Sequence, residues 1–272
     1  MTTRIGLIAG SGQFPLLFAR AAREKGWQIY AAAYREEADP ELGQHAETME
    51  WFYVGQINRL IKFFRQHDVS QAVMMGAISK TRMFTNVRPD MKALAMIARM
   101  RHTHDDALLR EFADVLEKEG IQIKPSTMLL PELLAPPGLW TRRKPSKTEV
   151  RDIQIGWRIA KEIGRLDIGQ CVVIRSGSIL AVEAIDGTDA TIERGGRLGK
   201  GQAVAVKVCK PDQDIRFDVP AVGLRTVEVM HTAGVRTLAI ESGKAVVFDR
   251  QAMIEQADEY DMTIVALDDN AA

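Results

Sequence analysis

Short apolar runs alternate with amphipathic stretches along most of the chain, and this alternation constrains the fold more than any other feature. "RIGLIAGSG" is an apolar run that ends in glycines, and "FPLLFARAAREKG" follows with apolar residues at helical spacing and a closing glycine. The pair reads as strand, turn and helix. "WQIYAAAY" repeats the strand signal, "INRLIKFFRQHD" the helix and "QAVMMGAI" another strand, which predicts a mainly parallel sheet covered by helices. "DMKALAMIARM" and "DDALLREFADVLEKEG" continue as helices, each opened by an aspartate that suits the positive end of a helix. "IQIKPS" closes this region.

The pattern breaks in "MLLPELLAPPGLWTRRKPS", where Pro131, Pro136, Pro137 and Pro145 interrupt any period and mark a boundary. A helix is expected next in "KTEVRDIQIGWRIAKEIG". "QCVVIRSGSILAVEAIDGTD" reads as two strands joined around Gly177, the second ending in an acidic, glycine-containing loop. Strand "AVAVKV", a charged loop, a helix near "GLRTVEVMHTAG", strands "TLAIE" and "AVVF", helix "RQAMIEQADEY" and strand "MTIVAL" complete the chain. The expected fold class is α/β, with an N-terminal Rossmann-like parallel-sheet domain over 1–132 and a C-terminal α/β domain over 133–272 that carries the charged loop.

Lysine plus arginine equals aspartate plus glutamate, 36 of each, so the chain lacks the long-range positive field of a general nucleic-acid binder, and any polyanion must be met by a local cluster. Cys171 and Cys209 lie in apolar runs without a CxxC spacing, and read as buried thiols of a reducing compartment. The N-terminal sequence lacks the pattern of a signal peptide, and no apolar run reaches bilayer-spanning length, so a cytoplasmic location is expected. A lipid substrate could still be reached from the membrane surface. A homo-oligomer is compatible with the sequence, which specifies no surface for one.

Four segments carry chemistry. Gly6, Gly10 and Gly12 surround the first strand-to-helix turn, where "GSGQ", Gly10 to Gln13 with Ser11 between, could bring backbone amides to a phosphate. Pro15 occupies the place of the third glycine of a dinucleotide fingerprint, which argues against NAD. "RHTHDDALLR" gathers His102, His104, Asp105 and Asp106 at a helix entrance, either as metal donors or as helix caps. "AVEAIDGTDA" supplies Glu183, Asp186, Thr188 and Asp189 after a strand, as turn residues or as groups facing a cleft. "VKVCKPDQDIRFDVPAVG" is the richest. Lys207 and Lys210 could meet an oxyanion, while Asp214 and Asp218 could hold a divalent ion or orient water, with Arg216 on a phosphate or paired to Asp214. Metal-assisted phosphoryl chemistry, binding of a carbohydrate or nucleotide without chemistry, and a salt-bridged loop all remain open on these residues alone. P-loop, H-E-x-x-H and G-x-S-x-G motifs are absent.

In their order along the chain, "GLIAGSGQFP", "DDALLR", "EIGRLDIGQ", "AVEAIDGTDA" and "KPDQDIRFDVPAVG" resemble the UDP-2,3-diacylglucosamine pyrophosphatases of the LpxI type, enzymes of lipid A biosynthesis. The resemblance runs over nearly the whole chain. It implies a two-domain hydrolase that binds UDP-2,3-diacylglucosamine in a cleft between domains and releases 2,3-diacylglucosamine 1-phosphate (lipid X) and UMP with a divalent cation, Mg2+ or Mn2+. Water attacks the phosphorus attached to the sugar. The family's essential aspartate matches Asp218 in "RFDVP". Taken with the local chemistry, this makes Asp218, Asp214 and Lys207 the candidate catalytic residues and Asp218, Asp214 and Glu183 the candidate metal ligands. Gly10, Ser11, Gly12, Gln13, Asp105, Asp106, Thr188, Asp189, Lys210 and Arg216 would bind substrate. A non-catalytic nucleotide-sugar or lipid-phosphate binding protein is the alternative. A lipid substrate also implies transient contact at the cytoplasmic face of the inner membrane, with "MLLPELLAPPGLW" and "MKALAMIARM" as candidate apolar walls.

Overall fold

The computed structural model describes residues 2–78, 87–99, 105–211, 213–217 and 219–269, with the backbone alone at Asp105 and Asp106. The chain divides into two compact units, Met1–Pro131 with Asp214–Asp218, and Glu132–Gln213 with Val219–Ala272.

In the first unit, strands β1 (Arg4–Ala9), β2 (Gln28–Tyr34), β3 (Thr48–Phe52), β4 (Gln71–Met75) and β5 (Gln122–Lys124) form one parallel sheet of order β3-β2-β1-β4-β5. The run of buried residues from Ile5 to Ala9 shows that both faces are covered, as expected for a parallel sheet. Helices α1 (Phe14–Glu24), α2 (Ile57–Gln66), α3 (Met91–Arg99) and α4 (Asp105–Lys118) supply the cover. Phe52, Leu60, Phe63, Phe64, Met96 and Leu116 anchor one core, while Ile5, Leu7, Phe18, Ala19 and Ala22 are buried as well. Asp90 caps α3, its carboxylate accepting from the N–H groups of Lys92 and Ala93 at 3.0 Å each. Strand β3 has no counterpart in the sequence reading; "TMEWF" carries only one fully buried residue, Phe52, and therefore no clear apolar run.

The second unit holds a mixed sheet of order β6-β13-β11-β9-β7-β8, built from β6 (Gly138–Leu139), β7 (Cys171–Arg175), β8 (Ser178–Val182), β9 (Ala203–Lys207), β11 (Val235–Glu241) and β13 (Thr263–Leu267). Strands β9, β11 and β13 run parallel, and β7 pairs antiparallel with both β8 and β9. Two short strands, β10 (Ala221–Val222) and β12 (Val246–Val247), pair separately. Helix α5 (Lys147–Arg165) lays Ile153, Trp157 and Ala160 against one face, on Val172, Val204 and Val206. It starts in a capping box between Ser146 and Glu149. The other face, with Cys171, Val173, Ala205 and Ile240, is covered by α6 (Gly187–Gly199), α7 (Leu224–Ala233) and α8 (Arg250–Glu259).

Helix α6 replaces the acidic loop that the sequence suggests after β8. Its sequence "GTDATIERGGRLG" opens with one glycine and holds three more, a composition that argues against a helix. Close packing is the reason for the three inside the helix: a Cβ at Gly195 would lie 2.4 Å from Val173 Cβ, one at Gly196 2.3 Å from the carbonyl oxygen of Ala233, and one at Gly199 2.7 Å from Ala203 Cβ. These positions trade intrinsic helix propensity for closeness to β7 and α7.

Candidate functional site

Strand pairing in the second unit sets Glu183, Cys171 and Lys207 in one row. Cys171 stands opposite Lys207 in register, and the N–H of Glu183 donates to the Cys171 carbonyl at 2.8 Å. Opposed residues of an antiparallel pair share a face, so the row places an ammonium and a carboxylate at the end of an otherwise apolar surface. Both are buried, each 8% exposed. Lys207 Nζ donates to the carbonyl of Ala221 at 2.9 Å, using one of its three donors. Glu183 accepts from the N–H of Gln170 at 3.0 Å and from Thr188 Oγ1 at 2.8 Å. Thr188 lies in the first turn of α6, and Asp189, beside it, is paired with Arg225 at 2.8 Å. Burial, seconded by the charge of Glu183, pushes the Cys171 thiol up to about 12; Cys171 and Cys209 are both buried, as their apolar setting predicts.

The loop that follows β9 is fixed at its root by a residue that sequence reasoning missed. Glu241 ends β11 and is 1% exposed. Its carboxylate accepts from the N–H of Cys209 at 2.8 Å, from Lys161 Nζ at 2.7 and 2.8 Å, and from Lys244 Nζ at 2.8 Å. Lys161 also pairs with Asp269, which accepts from Trp157 Nε1 at 3.0 Å. Burial works to raise the Asp269 carboxyl, but bonds from Trp157 and Lys161 outweigh it and hold the group below its ordinary range. Gln213 then closes the loop root, its Oε1 accepting from the N–H of Lys210 at 2.9 Å and from Cys209 Sγ at 3.2 Å. Lys210 is paired with Asp167. The only sequence signal for Glu241 was a glutamate ending the apolar run "TLAIE".

Within the first unit, Asp214 and Arg216 form a tight clamp. Arg216 Nε lies 3.0 and 3.1 Å from the two carboxylate oxygens, Nη2 lies 2.8 Å from Oδ2, and Nη1 reaches Glu117 Oε1 at 2.9 Å. Burial raises the Asp214 carboxyl, and the Arg216 bonds more than reverse this, leaving it below the usual aspartate range. Arg216 is thus ion-paired with Asp214 and with Glu117. Phe217 packs against the core cluster of this unit. Asp218, the residue that the resemblance makes essential, lies outside the described residues, as do Asp212, His102 and His104; nothing beyond the backbone is described for Asp105 and Asp106.

The glycine turn after β1 has a packing reason for its composition. Ser11 and Ala77 exchange backbone hydrogen bonds at 2.8 and 3.1 Å, and a Cβ on Gly10 would sit 2.5 Å from the Ala77 carbonyl oxygen. Ser11 Oγ donates to that same oxygen at 2.8 Å. Gly12, at φ +95°, adopts a backbone that favours glycine just before Gln13 and the start of α1.

Family models for the LpxI N-terminal domain and the LpxI C-terminal domain match residues 4–133 and 136–265. The chain belongs to the LpxI family. A relative named UDP-2,3-diacylglucosamine pyrophosphatase LpxI, from Caulobacter vibrioides, is 32% identical over 276 residues, covering 97% of this chain and 98% of that one. Among solved structures, the biotin carboxylase domain of Hydrogenobacter thermophilus 2-oxoglutarate carboxylase aligns with 72% of this LpxI-family chain and 41% of its own at 17% identity and a TM-score of 0.29. N5-carboxyaminoimidazole synthetase from Staphylococcus aureus aligns over 67% and 42% at 15% identity and a TM-score of 0.27. The chain thus spans about two fifths of the length of these solved chains, and scores of that size carry no argument.

Of the residues that the LpxI resemblance singles out, the structure brings Lys207, Glu183, Thr188 and Asp189 to one end of the second unit's sheet, and keeps Asp214 with Arg216 in the first unit. Among the described residues, no three His, Cys, Asp or Glu side chains are grouped to hold a metal ion. Mg2+ usually takes one or two carboxylates together with substrate phosphates and water, so a protein cage is not required for it. Glu183 and Asp214 are oxygen donors of the suitable hard type, each oriented by hydrogen bonds. Among the described residues, no helix is long and apolar enough to cross a membrane.

Proposed function

We propose that this chain hydrolyses the pyrophosphate bond of UDP-2,3-diacylglucosamine, giving 2,3-diacylglucosamine 1-phosphate and UMP, a step of lipid A biosynthesis. The observation that carries this reading is the 32% identity to the Caulobacter vibrioides pyrophosphatase across 97% of one chain and 98% of the other, so that no catalytic segment is borrowed from outside the alignment. In the proposed reaction a water oxygen bonds to the phosphorus attached to the sugar, the bond from that phosphorus to the bridging oxygen breaks, and UMP leaves with the bridging oxygen.

The assignment of roles follows from the residues. Asp218 is the proposed catalytic carboxylate, which would help hold the divalent ion or polarise the attacking water. Lys207, whose ammonium is buried and anchored by one hydrogen bond, would stabilise charge on the phosphoryl oxygens, where low exposure strengthens its field. Lys210 would screen the same anion. Arg216 serves by holding Asp214 ionised and in place. A bound Mg2+ or Mn2+, with Asp218, Asp214 and Glu183 as its proposed ligands, supplies Lewis-acid neutralisation of the pyrophosphate. Gly10, Ser11, Gly12, Gln13, Asp105, Asp106, Thr188, Asp189 and Arg216 are retained as proposed substrate contacts. The reading also includes a Rossmann-like N-terminal domain over 1–132, a C-terminal domain over 133–272, and a cytoplasmic protein that touches the inner-membrane surface.

Incubation of the purified chain with UDP-2,3-diacylglucosamine, with and without EDTA, followed by phosphorus NMR, tests the reaction. UMP should appear and be suppressed by the chelator. Tight binding without turnover at any acyl length would instead make the chain a nucleotide-sugar or lipid-phosphate binding protein.

A further inference from the structure

The first unit contains a cavity of about 290 Å³ with an almost wholly apolar wall, including Phe52, Leu60, Met74, Ala93, Met96 and Leu108. It sits where β2, β3 and β4 end, against α2, α3 and α4, at the carboxyl edge of a parallel sheet, where ligands of such sheets are bound. Its polar lining is sparse and engaged: Gln56 Oε1 accepts from the N–H of Tyr53 at 3.0 Å. Burial pushes the Tyr34 phenol up to about 12, so this hydroxyl stays protonated at any physiological pH. Val87 and Ile97 line the cavity and are also exposed, at 37% and 50%. Outside it, α3 carries Met91 and Leu94 into solvent, and the exposed side chains of Arg35 and Arg88 lie over the Tyr53 ring at 5.3 and 3.9 Å. Phe217, of the charged loop, packs on the same core cluster from which the cavity is carved.

An apolar chamber with an apolar lip and a cationic rim fits one kind of ligand: a hydrocarbon chain attached to an anionic head. We propose that this cavity receives one acyl chain of the substrate, with Ala93 and Met96 setting the length it accepts. The inference rests on the diacylated substrate of the proposed function. Ala93 is the point of control because it is 2% exposed and the smallest side chain that α3 turns into the chamber. Each methylene seated there should raise affinity about fourfold until the wall is reached.

The test uses the full chain and 2,3-diacylglucosamine 1-phosphate with a diazirine at the end of each acyl chain, photolysed and mapped by peptide mass spectrometry, beside UMP release measured on substrates of graded chain length. Labelling is expected on the segments holding Ala93, Met96 and Leu108. Ala93→Phe should abolish it and lower kcat/KM at least tenfold for long-chain substrates, with short-chain substrates unchanged; Leu108→Phe, from the neighbouring helix α4, serves if the first variant fails to fold. Labels confined to other segments, or an equal loss at all chain lengths, overturn the proposal even where UMP is released. Labels in this cavity without UMP release would leave the chamber standing and remove the hydrolytic reading.

Discussion

The carboxylate of Glu241 accepts a hydrogen bond from the N–H of Cys209 at 2.8 Å, and so ties the end of β11 to the residue from which the charged loop departs β9. Two lysines balance the buried charge, Lys161 at 2.7 Å and Lys244 at 2.8 Å. Removing the carboxylate leaves the buried Cys209 N–H without its acceptor and Lys161 with Asp269 as its remaining partner, a loss of about 1–3 kcal/mol. Glu241→Ala should therefore lower unfolding stability by an amount of that order in urea titrations and reduce kcat, because the root of the loop loses its anchor. Glu241→Gln keeps an acceptor for Cys209 and should fall between. Wild-type values of both quantities for Glu241→Ala would show that the contact anchors nothing.

Gly195 packs against Val173 so closely that an added Cβ would come within 2.4 Å of Val173 Cβ. Overpacking of this kind costs about 1–3 kcal/mol. Gly195→Ala is expected to lower Tm accordingly, and the double variant with Val173→Ala should recover part of the loss. Simple additivity of the two changes in thermal melts would rule out the proposed clash.

These two sites also explain what the sequence could and could not disclose. Strands such as β1, β2 and β9 were legible because they are buried on both faces and read as continuous apolar runs. Helix α5 was expected in "KTEVRDIQIGWRIAKEIG", and the structure adds the capping box that starts it and the buried stripe that holds it. Helix α6 did not, since tertiary closeness put glycines where propensity would place alanine or leucine. The charged loop stood out as a candidate from composition alone, but its support did not: Glu241 and Lys161 lie 80 positions apart, and only the strand order brings them together. The membrane-facing role weighed for "MKALAMIARM" divides on the structure into Ala93 and Met96, which line a cavity, and Met91 and Leu94, which are exposed.

Glu149 gives a pH dependence with a defined sign. Burial raises its carboxyl, but hydrogen bonds from Thr237, Ser146 and Arg143 outweigh this and hold it below the ordinary glutamate range. A carboxyl depressed in the folded state stabilises the protein above its unfolded value, about 4.3, and that contribution is lost as pH falls through the folded value. Stability measured from pH 7 to pH 3 should decline on the acid side, and Glu149→Gln should be less stable at neutral pH with a shallower acid decline. An identical slope in both proteins would remove Glu149 from the account.

Arg216 fastens Asp214 through a forked contact that lysine cannot reproduce. Arg216→Lys should lower kcat/KM, and Arg216→Met more so, with little change in fold by circular dichroism. Because the Arg216 bonds overcome the effect of burial on Asp214, their loss lets that carboxyl rise. The acid limb of the kcat/KM profile should accordingly move to higher pH in Arg216→Met. A limb that stays in place would mean that Asp214 is not among the groups whose ionisation the reaction needs.

Asp218 and Lys207 are expected to fail in different ways when replaced. A carboxylate that acts on the attacking water contributes chiefly in the transition state, so Asp218→Ala should reduce kcat by roughly 100-fold or more while the substrate still binds. Lys207 is different, because in the proposed reaction its charge would meet the pyrophosphate in the ground state and in the transition state alike. Its ammonium is buried and held by the Ala221 carbonyl at 2.9 Å, so Lys207→Ala should weaken binding as well as turnover, and Lys207→Arg should not restore either, since the larger head cannot occupy the same enclosed position. Calorimetric titration with UDP-2,3-diacylglucosamine, run beside single-turnover measurements of UMP release, separates the two effects. Full turnover by a folded Asp218→Ala protein would move the catalytic role to another acidic residue, with Asp214 first; unchanged affinity in Lys207→Ala would place the pyrophosphate away from the carboxyl end of β9.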